Sequence, residues 1–184
     1  MRTETQRLER IEAQLDIQQL AIRYAIAVDE RDVESWINLF VPDVGAGPYG
    51  SGRDALREFI TPQIKQFYRS IHNIMGHRII LDDSDSAHGH VYCRAEHEVG
   101  DRWIAMAIRY DDRYRRVDGE WLFKGRREYH WYAADVTRTP QQAGFDEWHT
   151  SPHPPTVPLS TPSTWHEFWS GHDTSGITAS PLDS

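Results

Sequence analysis

Three polar residues have the side-chain types that proton transfer needs, and each also has an ordinary structural explanation. Tyr24 lies on the apolar side of a predicted N-terminal helix, where a phenol buries its ring and needs a partner for its hydroxyl. Asp29 comes near the end of that helix, where it could cap the next helix or face solvent. His72 begins a predicted strand between apolar neighbours, and an imidazole there responds to any nearby carboxylate. Residue type and position alone favour the structural explanation for all three.

A second group of histidines, His88 and His90, has the spacing of a metal-binding pair on one face of a strand. No third ligand of evident spacing accompanies the pair, so a solvated strand face is the better interpretation. Cys93 is the only cysteine, which excludes an intramolecular disulfide and a thiolate zinc site. The chain also lacks a glycine-rich phosphate loop and a nucleophile elbow. We therefore predict no metal and no cofactor.

Hydrophobic periodicity places these candidates on helices first and on strands afterwards. It predicts helices over 4–30, 33–40 and 53–67, and strands over 71–82, 87–99, 102–117 and 120–133. Leu8, Ile11 and Leu15 begin the predicted apolar stripe of the first helix. Asp118 and Gly119 form the strongest hairpin signal in the chain. Helices followed by an antiparallel meander predict an α+β fold.

The last quarter of the chain differs from the body in composition. No Lys or Arg follows Arg138, and the segment 151–162 holds five prolines, which exclude a helix or a central strand. The same quarter contains three tryptophans, which disordered tails usually lack. We expect residues 1–136 to form one domain. Residues 137–184 are expected to form an irregular extension that docks on this domain or on a neighbouring subunit.

Length and charge narrow the class of protein. The chain has 184 residues, the size of one ordinary domain. Its net charge of −8 argues against nucleic acid or an anionic membrane as a partner. No apolar run is long enough to span a membrane, and the polar N-terminus does not resemble a signal peptide. We therefore expect a cytoplasmic protein.

Three segments carry a resemblance to the SnoaL-like branch of the nuclear-transport-factor-2-like fold. They are residues 24–32, 52–59 and 109–121, and the resemblance as a whole covers about residues 15–135. It implies a cone-shaped α+β barrel, in which N-terminal helices pack on a curved, mostly antiparallel sheet. The reaction stays open, because this fold hosts many chemistries.

Within that branch, the chain is most similar to bile acid dehydratases, hexachlorocyclohexane dehydrochlorinase and scytalone dehydratase. In the first two families, an Asp at the end of the first helix meets a His at the start of the first long strand, and Asp29 and His72 stand at the matching positions. Bile acid dehydratases also have a Tyr five residues before that Asp, which matches Tyr24. The resemblance implies that His72 takes a proton and that Asp29 fixes its tautomer. Tyr24, or an Arg of the last strand, would assist the leaving group or stabilise a developing oxyanion.

Two departures from these families leave the substrate and the leaving group open. A further Asp of the bile acid dehydratases is matched by Ala95, although His97 on the same strand face could substitute for it. The Arg that the dehydrochlorinase has on its last strand is matched by Arg126 or by Arg127, because a bulge would shift the register. Four residues are predicted to contact the substrate: His97, Tyr110, Arg126 and Trp131.

The expected function is that of a cofactor-independent lyase of the dehydratase or dehydrohalogenase type. Its substrate would be a small hydrophobic cyclic or polyketide-like molecule. One alternative is a non-catalytic structural subunit similar to the small subunit of ring-hydroxylating dioxygenases. Another is a natural-product cyclase or isomerase. We expect the chain to form a homo-oligomer, a dimer or a trimer.

Overall fold

The computed structural model describes residues 2–100, 102–136 and 170–171. Its helices are α1 (Glu4–Asp29), α2 (Val33–Asn38) and α3 (Arg53–Ile64), and its strands are β1 (Ser70–Leu81), β2 (Ser86–Val99), β3 (Arg102–Val117) and β4 (Glu120–Asp135). The strands form one antiparallel sheet in the order β1-β2-β3-β4. The predicted α+β class is confirmed. The predicted docking of the C-terminal extension lies outside the described residues.

Helix α1 begins as its sequence indicates, but it buries a different face from the predicted one. The hydroxyl of Thr3 accepts a hydrogen bond from the Gln6 amide, and the Gln6 side chain accepts one from the Thr3 amide, as in a capping box. Leu8, Ile11 and Leu15 are exposed, so the predicted start of the stripe was wrong. The buried face consists of Ala13, Ile17, Leu20, Ala21, Tyr24, Ala25, Ala27 and Val28. Four of these are alanines, which let a helix approach a sheet closely. Alanine contributes little to a hydrophobic pattern, so the sequence did not indicate this face.

The register of the sheet shifts at three places. Met75 in β1, and Lys124 and Trp131 in β4, are extra residues with no directly opposing partner. Such bulges bend and twist a sheet, which gives it the concave face that the helices cover. The turn between β3 and β4 has positive φ values of 51° at Asp118 and 87° at Gly119. The predicted Asp-Gly hairpin is confirmed, since a type I′ turn requires both values to be positive.

Two apolar clusters hold the helices against the concave face. The larger cluster includes Tyr24, Trp36, Phe40 and Phe123, and the smaller one includes Val91, Cys93, Ile108 and Tyr110. Main-chain bonds join the segment after α2 to β4, because the Val41 amide donates to the Phe123 carbonyl at 3.0 Å and the Phe123 amide to the Leu39 carbonyl at 2.9 Å. In the part of the chain that the structure describes, no helix is both long and apolar enough to cross a membrane.

Gly89 in β2 leaves no room for a side chain. A Cβ atom there would lie 2.1 Å from the carbonyl oxygen of Arg78 on β1. We expect Gly89→Ala to lower the free energy of unfolding by about 1–3 kcal/mol, because the strands must move apart. Gly125→Ala on β4 is the matched control, since nothing lies within 4 Å of a Cβ atom there. Urea unfolding of both variants measures the effect, and equal stabilities would contradict the prediction.

Candidate active site

The end of α1 brings Asp29 against the first residues of β1. His72 Nδ1 lies 2.7 Å from Asp29 Oδ1, and the His72 amide donates to Asp29 Oδ2 at 2.8 Å. The Ser70 hydroxyl donates to Asp29 Oδ1 at 2.8 Å. The side chain of His72 is 7% exposed and that of Asp29 is 22% exposed. Both carboxylate oxygens are therefore held by β1, and they orient a largely buried imidazole.

The electrostatics of this pair favour an ionised Asp29. Burial raises the pKa of Asp29, but its hydrogen bonds from His72 and Ser70 outweigh burial and hold the pKa below its ordinary value. A carboxylate on Nδ1 favours the tautomer that carries its proton on that nitrogen. The basic nitrogen of His72 is then Nε2, which is the arrangement that a general base needs.

Arg31 ties together the two elements that carry this pair. Its φ of 62° is uncommon for a residue other than glycine. The guanidinium donates to the Val28 carbonyl at 2.6 Å, to the Asp29 carbonyl at 3.2 Å and to the Ser70 hydroxyl at 2.9 Å. It also donates to two carbonyls of the segment that leads into β1. Arg31 therefore holds both the backbone of Asp29 and the hydroxyl that binds its carboxylate. Sequence reasoning missed this role, because it depends on contacts with a distant segment.

Ser70→Ala should raise the pKa of Asp29, because the substitution removes one hydrogen bond to the ionised carboxylate. The pKa of Asp29 is lower in the folded chain than its ordinary value. The ionised Asp29 therefore stabilises the fold at pH values above its ordinary pKa, and this stabilisation is lost as the pH falls through its lowered pKa. In Ser70→Ala the stabilisation at pH 7 should be smaller, so the free energy of unfolding should fall less between neutral and acidic pH.

NMR titration of the Asp29 carboxyl and urea unfolding at neutral and acidic pH measure this effect. Ser84→Ala is the matched control, because it removes a serine hydroxyl that donates to the exposed Asp85. An Asp29 pKa that is the same in Ser70→Ala and in the wild type would refute the prediction.

His97 lies beside His72 on the neighbouring strand. The centroids of the two rings are 5.5 Å apart and their planes are nearly perpendicular, at 87°. His97 is buried, and the ring of Phe67 contacts it with a centroid distance of 4.3 Å. The direct partner of His72 across the two strands is Ala95. The structure therefore brings His97 together with His72, while the position of the missing carboxylate is filled by a methyl group.

Tyr24 and Tyr110 form an aromatic layer further inside the fold. Their ring centroids are 5.9 Å apart, and the guanidinium of Arg126 lies 4.2 Å from the centroid of Tyr24 and 4.1 Å from that of Tyr110. Burial raises the pKa of Tyr24 to about 12 and that of Tyr110 well above its ordinary value. Both phenols are therefore neutral at pH 7 and can donate a hydrogen bond.

Arg126 faces the inside of the fold, where it forms a buried ion pair with Asp112. Nε donates to Oδ1 at 2.8 Å and Nη2 to Oδ2 at 2.7 Å, and the two side chains are 5% and 0% exposed. The Tyr114 hydroxyl also donates to Asp112 Oδ2, at 2.8 Å. Arg127 is exposed, with its guanidinium near the ring of Tyr129. The structure thus selects Arg126 as the inward residue of the two.

The predicted substrate contacts of Arg126, Tyr110, His97 and Trp131 stay predictions. Trp131 is half-buried and lies at a bulge of β4. Tyr110 belongs to the aromatic layer, Arg126 lies over both of its rings, and His97 lies beside His72.

Sequence reasoning missed a second carboxylate–imidazole pair, which β4 places on the concave face. Glu128 lies opposite Tyr110, and His130 lies opposite Ile108. The distance from His130 Nε2 to Glu128 Oε1 is 2.7 Å. Desolvation raises the pKa of Glu128, but the hydrogen bond and charge of His130, followed by the charge of His72, outweigh it and hold the pKa below its ordinary value. The alternation of the two residues along the strand was a usable signal.

The histidines of β2 lie on the other face of the sheet. His88 Nδ1 is 2.9 Å from an oxygen of Asp82, and His90 Nδ1 is 2.8 Å from Asp111 Oδ1. Among residues 2–100, 102–136 and 170–171, no group of three or more histidine, cysteine or acidic side chains could hold a metal ion. These pairs have the same Asp–His contact as Asp29 and His72, but their side chains are more exposed to solvent. They are therefore useful controls.

The fold and the site together define a small cone-shaped α+β protein with polar side chains on a concave, partly buried face. Residues 9–127 match the family model of the SnoaL-like domain, and the chain belongs to that family. The fold is the nuclear-transport-factor-2-like fold, so the resemblance seen in the sequence is confirmed.

Solved structures of several proteins share this fold. A candidate scytalone dehydratase from Novosphingobium aromaticivorans is 22% identical with a TM-score of 0.61, over 69% of this chain and 89% of that one. Hexachlorocyclohexane dehydrochlorinase LinA-type3 from Novosphingobium barchaimii is 23% identical with a TM-score of 0.61, over 70% and 92%. A candidate aromatic ring hydroxylase from N. aromaticivorans is 24% identical with a TM-score of 0.60, over 68% and 94%. No match was found among curated proteins.

Proposed function

We propose that the chain is a cofactor-independent lyase that acts on a small hydrophobic cyclic or polyketide-like substrate, with Asp29 and His72 as its general base. The observation that carries this proposal is the contact of 2.7 Å between His72 Nδ1 and Asp29 Oδ1, at the concave face of the sheet. The names of two proteins with the same fold, one after the dehydration of scytalone and one after the dehydrochlorination of hexachlorocyclohexane, support the class of reaction.

In this mechanism, Asp29 keeps the Nδ1 proton of His72 in place and stabilises the imidazolium that forms. His72 Nε2 takes a proton from a carbon of the substrate, and the C–H electron pair becomes the new double bond as the leaving group departs. General-base catalysis of this kind contributes roughly 10²–10⁴-fold to the rate. The neutral phenols of Tyr24 and Tyr110 are suited to donate hydrogen bonds to a developing oxyanion.

The surroundings of the dyad fit an apolar substrate and argue against covalent catalysis by Cys93. The concave faces of β2 and β3 carry Cys93, Ala95, Met106 and Ile108, all of them buried, so the side chains around the dyad are apolar. Burial raises the pKa of Cys93 to about 12. The thiol is therefore neutral at pH 7 and is a poor nucleophile.

Turnover assays test the proposal on scytalone, on hexachlorocyclohexane and on simple cyclic β-hydroxy ketones. We expect the purified chain to convert at least one of these compounds, and His72→Ala to lose that activity. His90→Ala is the matched control, because it removes an imidazole with a similar aspartate contact from the outer face. The proposal is wrong if the wild type converts none of them, or if His72→Ala is as active as His90→Ala.

A structural subunit is the second candidate function. The likeness to a candidate aromatic ring hydroxylase favours it. Light scattering of the purified chain discriminates between the two functions. A stable homo-oligomer that turns over substrate supports the lyase, whereas an inactive chain that becomes stable only with a larger partner supports the subunit.

A further inference from the structure

We propose that Glu128 and His130 form the acid side of the same site, and that the leaving group is therefore a hydroxyl rather than a halide. This inference rests on the proposed function of Asp29 and His72. It deepens that function by naming the proton donor and the class of substrate, a β-hydroxy carbonyl compound or a similar alcohol.

The two carboxylate–imidazole pairs lie on opposite edges of one concave sheet. His72 is on β1 and the Glu128–His130 pair is on β4, the first and last strands in the sheet order. Side chains on the concave face of a bent sheet converge above its central strands. The side chains of those central strands on the same face are buried and apolar, Cys93 and Ile108 among them. A ring held between the two edges of the sheet would have one imidazole pair on each side.

The electrostatic interactions agree with a shared cavity. Burial is the largest influence on the pKa of Glu128, of Tyr24 and of Cys93; in addition, the charge of a protonated His72 lowers the pKa of Glu128, and the charge of Glu128 raises the pKa of Tyr24 and of Cys93. Interactions of this kind weaken with distance and with solvent screening. Glu128 therefore belongs to the same environment as His72 and Tyr24.

Exposure separates the Glu128–His130 pair from Arg126, which also faces inward from β4. The Glu128 side chain is 41% exposed and the His130 side chain 14%, so the pair lies where a substrate can enter. Arg126 is almost completely buried, and two of its nitrogens already bind Asp112. The accessible proton donor on β4 is therefore the carboxylate–imidazole pair.

These groups alone account for every proton and electron pair that moves in the elimination. His72 Nε2 takes the proton from the carbon next to the carbonyl, the C–H electron pair forms the C=C bond, and the C–O bond breaks with its electrons on oxygen. The imidazolium form of His130, paired with the ionised Glu128, gives one proton to the departing hydroxide, which leaves as water. The site then holds a protonated His72 and a Glu128–His130 pair with one proton fewer, and exchange with solvent restores both. A chloride ion leaves as a stable anion and needs no such proton.

The test compares two probes that yield the same product, cyclohexenone. They are 3-hydroxycyclohexanone and 3-chlorocyclohexanone, with the spontaneous elimination of each subtracted. We expect Glu128→Gln and His130→Asn each to lower kcat/KM for the hydroxy probe by roughly 10²-fold, the size of one general-acid contribution. The chloro probe should change by less than about 3-fold in the same variants, since its leaving group needs no proton. His72→Ala should lower the rate for both probes.

The controls are Asp111→Asn and His90→Asn, which alter a carboxylate–imidazole pair on the outer face. Thermal melting shows that each variant is folded, and two variants of the pair guard against the failure of one. Equal losses on both probes, or no loss on either, would overturn the acid role. Wild-type turnover of the chloro probe alone would overturn the assignment of the leaving group and leave the Asp29–His72 proposal standing. Turnover of neither probe would contradict the proposed function, and the inference with it.

Discussion

Asp112→Ala is expected to lower the free energy of unfolding by about 3–5 kcal/mol, the usual cost of leaving a buried charge without its partner. The guanidinium of Arg126 would keep its charge while losing both of its hydrogen bonds to Asp112. The side chains of both residues are almost completely excluded from solvent. The hydroxyl of Tyr114 would lose an acceptor at the same time. Urea unfolding at pH 7 measures the change.

The neighbouring residue provides a matched control. Asp111 faces the other side of the sheet and pairs with Arg109 at 2.9 Å, with side chains that are 31% and 24% exposed. Asp111→Ala should therefore lower the free energy of unfolding by about 1 kcal/mol or less. If the two alanine variants are equally stable, the buried Asp112–Arg126 pair contributes no more to stability than the exposed Asp111–Arg109 pair.

A double variant separates the loss of a pair from the loss of a partner. In Asp112→Leu with Arg126→Met, no charge is left unpaired, and apolar side chains of similar size fill the space. Replacing a whole buried ion pair in this way is often neutral or stabilising. We expect the double variant to be more stable than Asp112→Ala. A double-mutant cycle with Asp112→Leu and Arg126→Met as the single variants measures the coupling energy of the pair.

His72→Ala and Asp29→Asn are each expected to lower kcat by roughly 10²–10⁴-fold with little change in KM. His72→Ala removes the base itself. In Asp29→Asn, the new amide can donate a hydrogen bond to Nδ1, which favours the tautomer with its proton on Nε2. That tautomer cannot accept a proton from the substrate at Nε2, although the geometry of the site is preserved.

A double variant of Asp29 and His72 tests directly whether the two residues act as one unit. Residues that act as one unit show strongly non-additive effects. Asp29→Asn combined with His72→Ala should therefore be hardly slower than His72→Ala alone. Steady-state kinetics on any converted substrate measure the three variants, with Asp111→Asn and His90→Ala as the outer-face counterparts. Additive losses would show that Asp29 and His72 act separately.

Local patterns in the sequence predicted most of the fold correctly. Strand β3 occupies the predicted residues 102–117, and the Asp118–Gly119 turn follows it. These features are local, because strand alternation and turn chemistry depend on neighbouring residues. The exception is the N-terminal half of α1, where the pattern predicts Leu8, Ile11 and Leu15 on the buried face although all three are exposed. Only the packing of a helix decides which of its apolar residues the sheet covers.

The candidate site was less visible in the sequence. Resemblance to a family, rather than spacing, suggested that Asp29 and His72 meet, since they are separated by 43 residues. The Glu128–His130 pair was missed, and Arg126 could not be distinguished from Arg127. Both questions depend on the bulge at Lys124, which changes the face that the following residues of β4 present.

The sequence by itself determined the order of helices and strands, the α+β class, the family resemblance and the set of polar residues available for chemistry. Only the tertiary structure decided how those residues are grouped. It placed Asp29 with His72, Ser70 and Arg31, buried Arg126 against Asp112, and turned Glu128 and His130 toward the concave face. The physical reason is that secondary structure depends on short-range periodicity. A site, by contrast, depends on strand register and sheet curvature, which arise only when distant segments pack together.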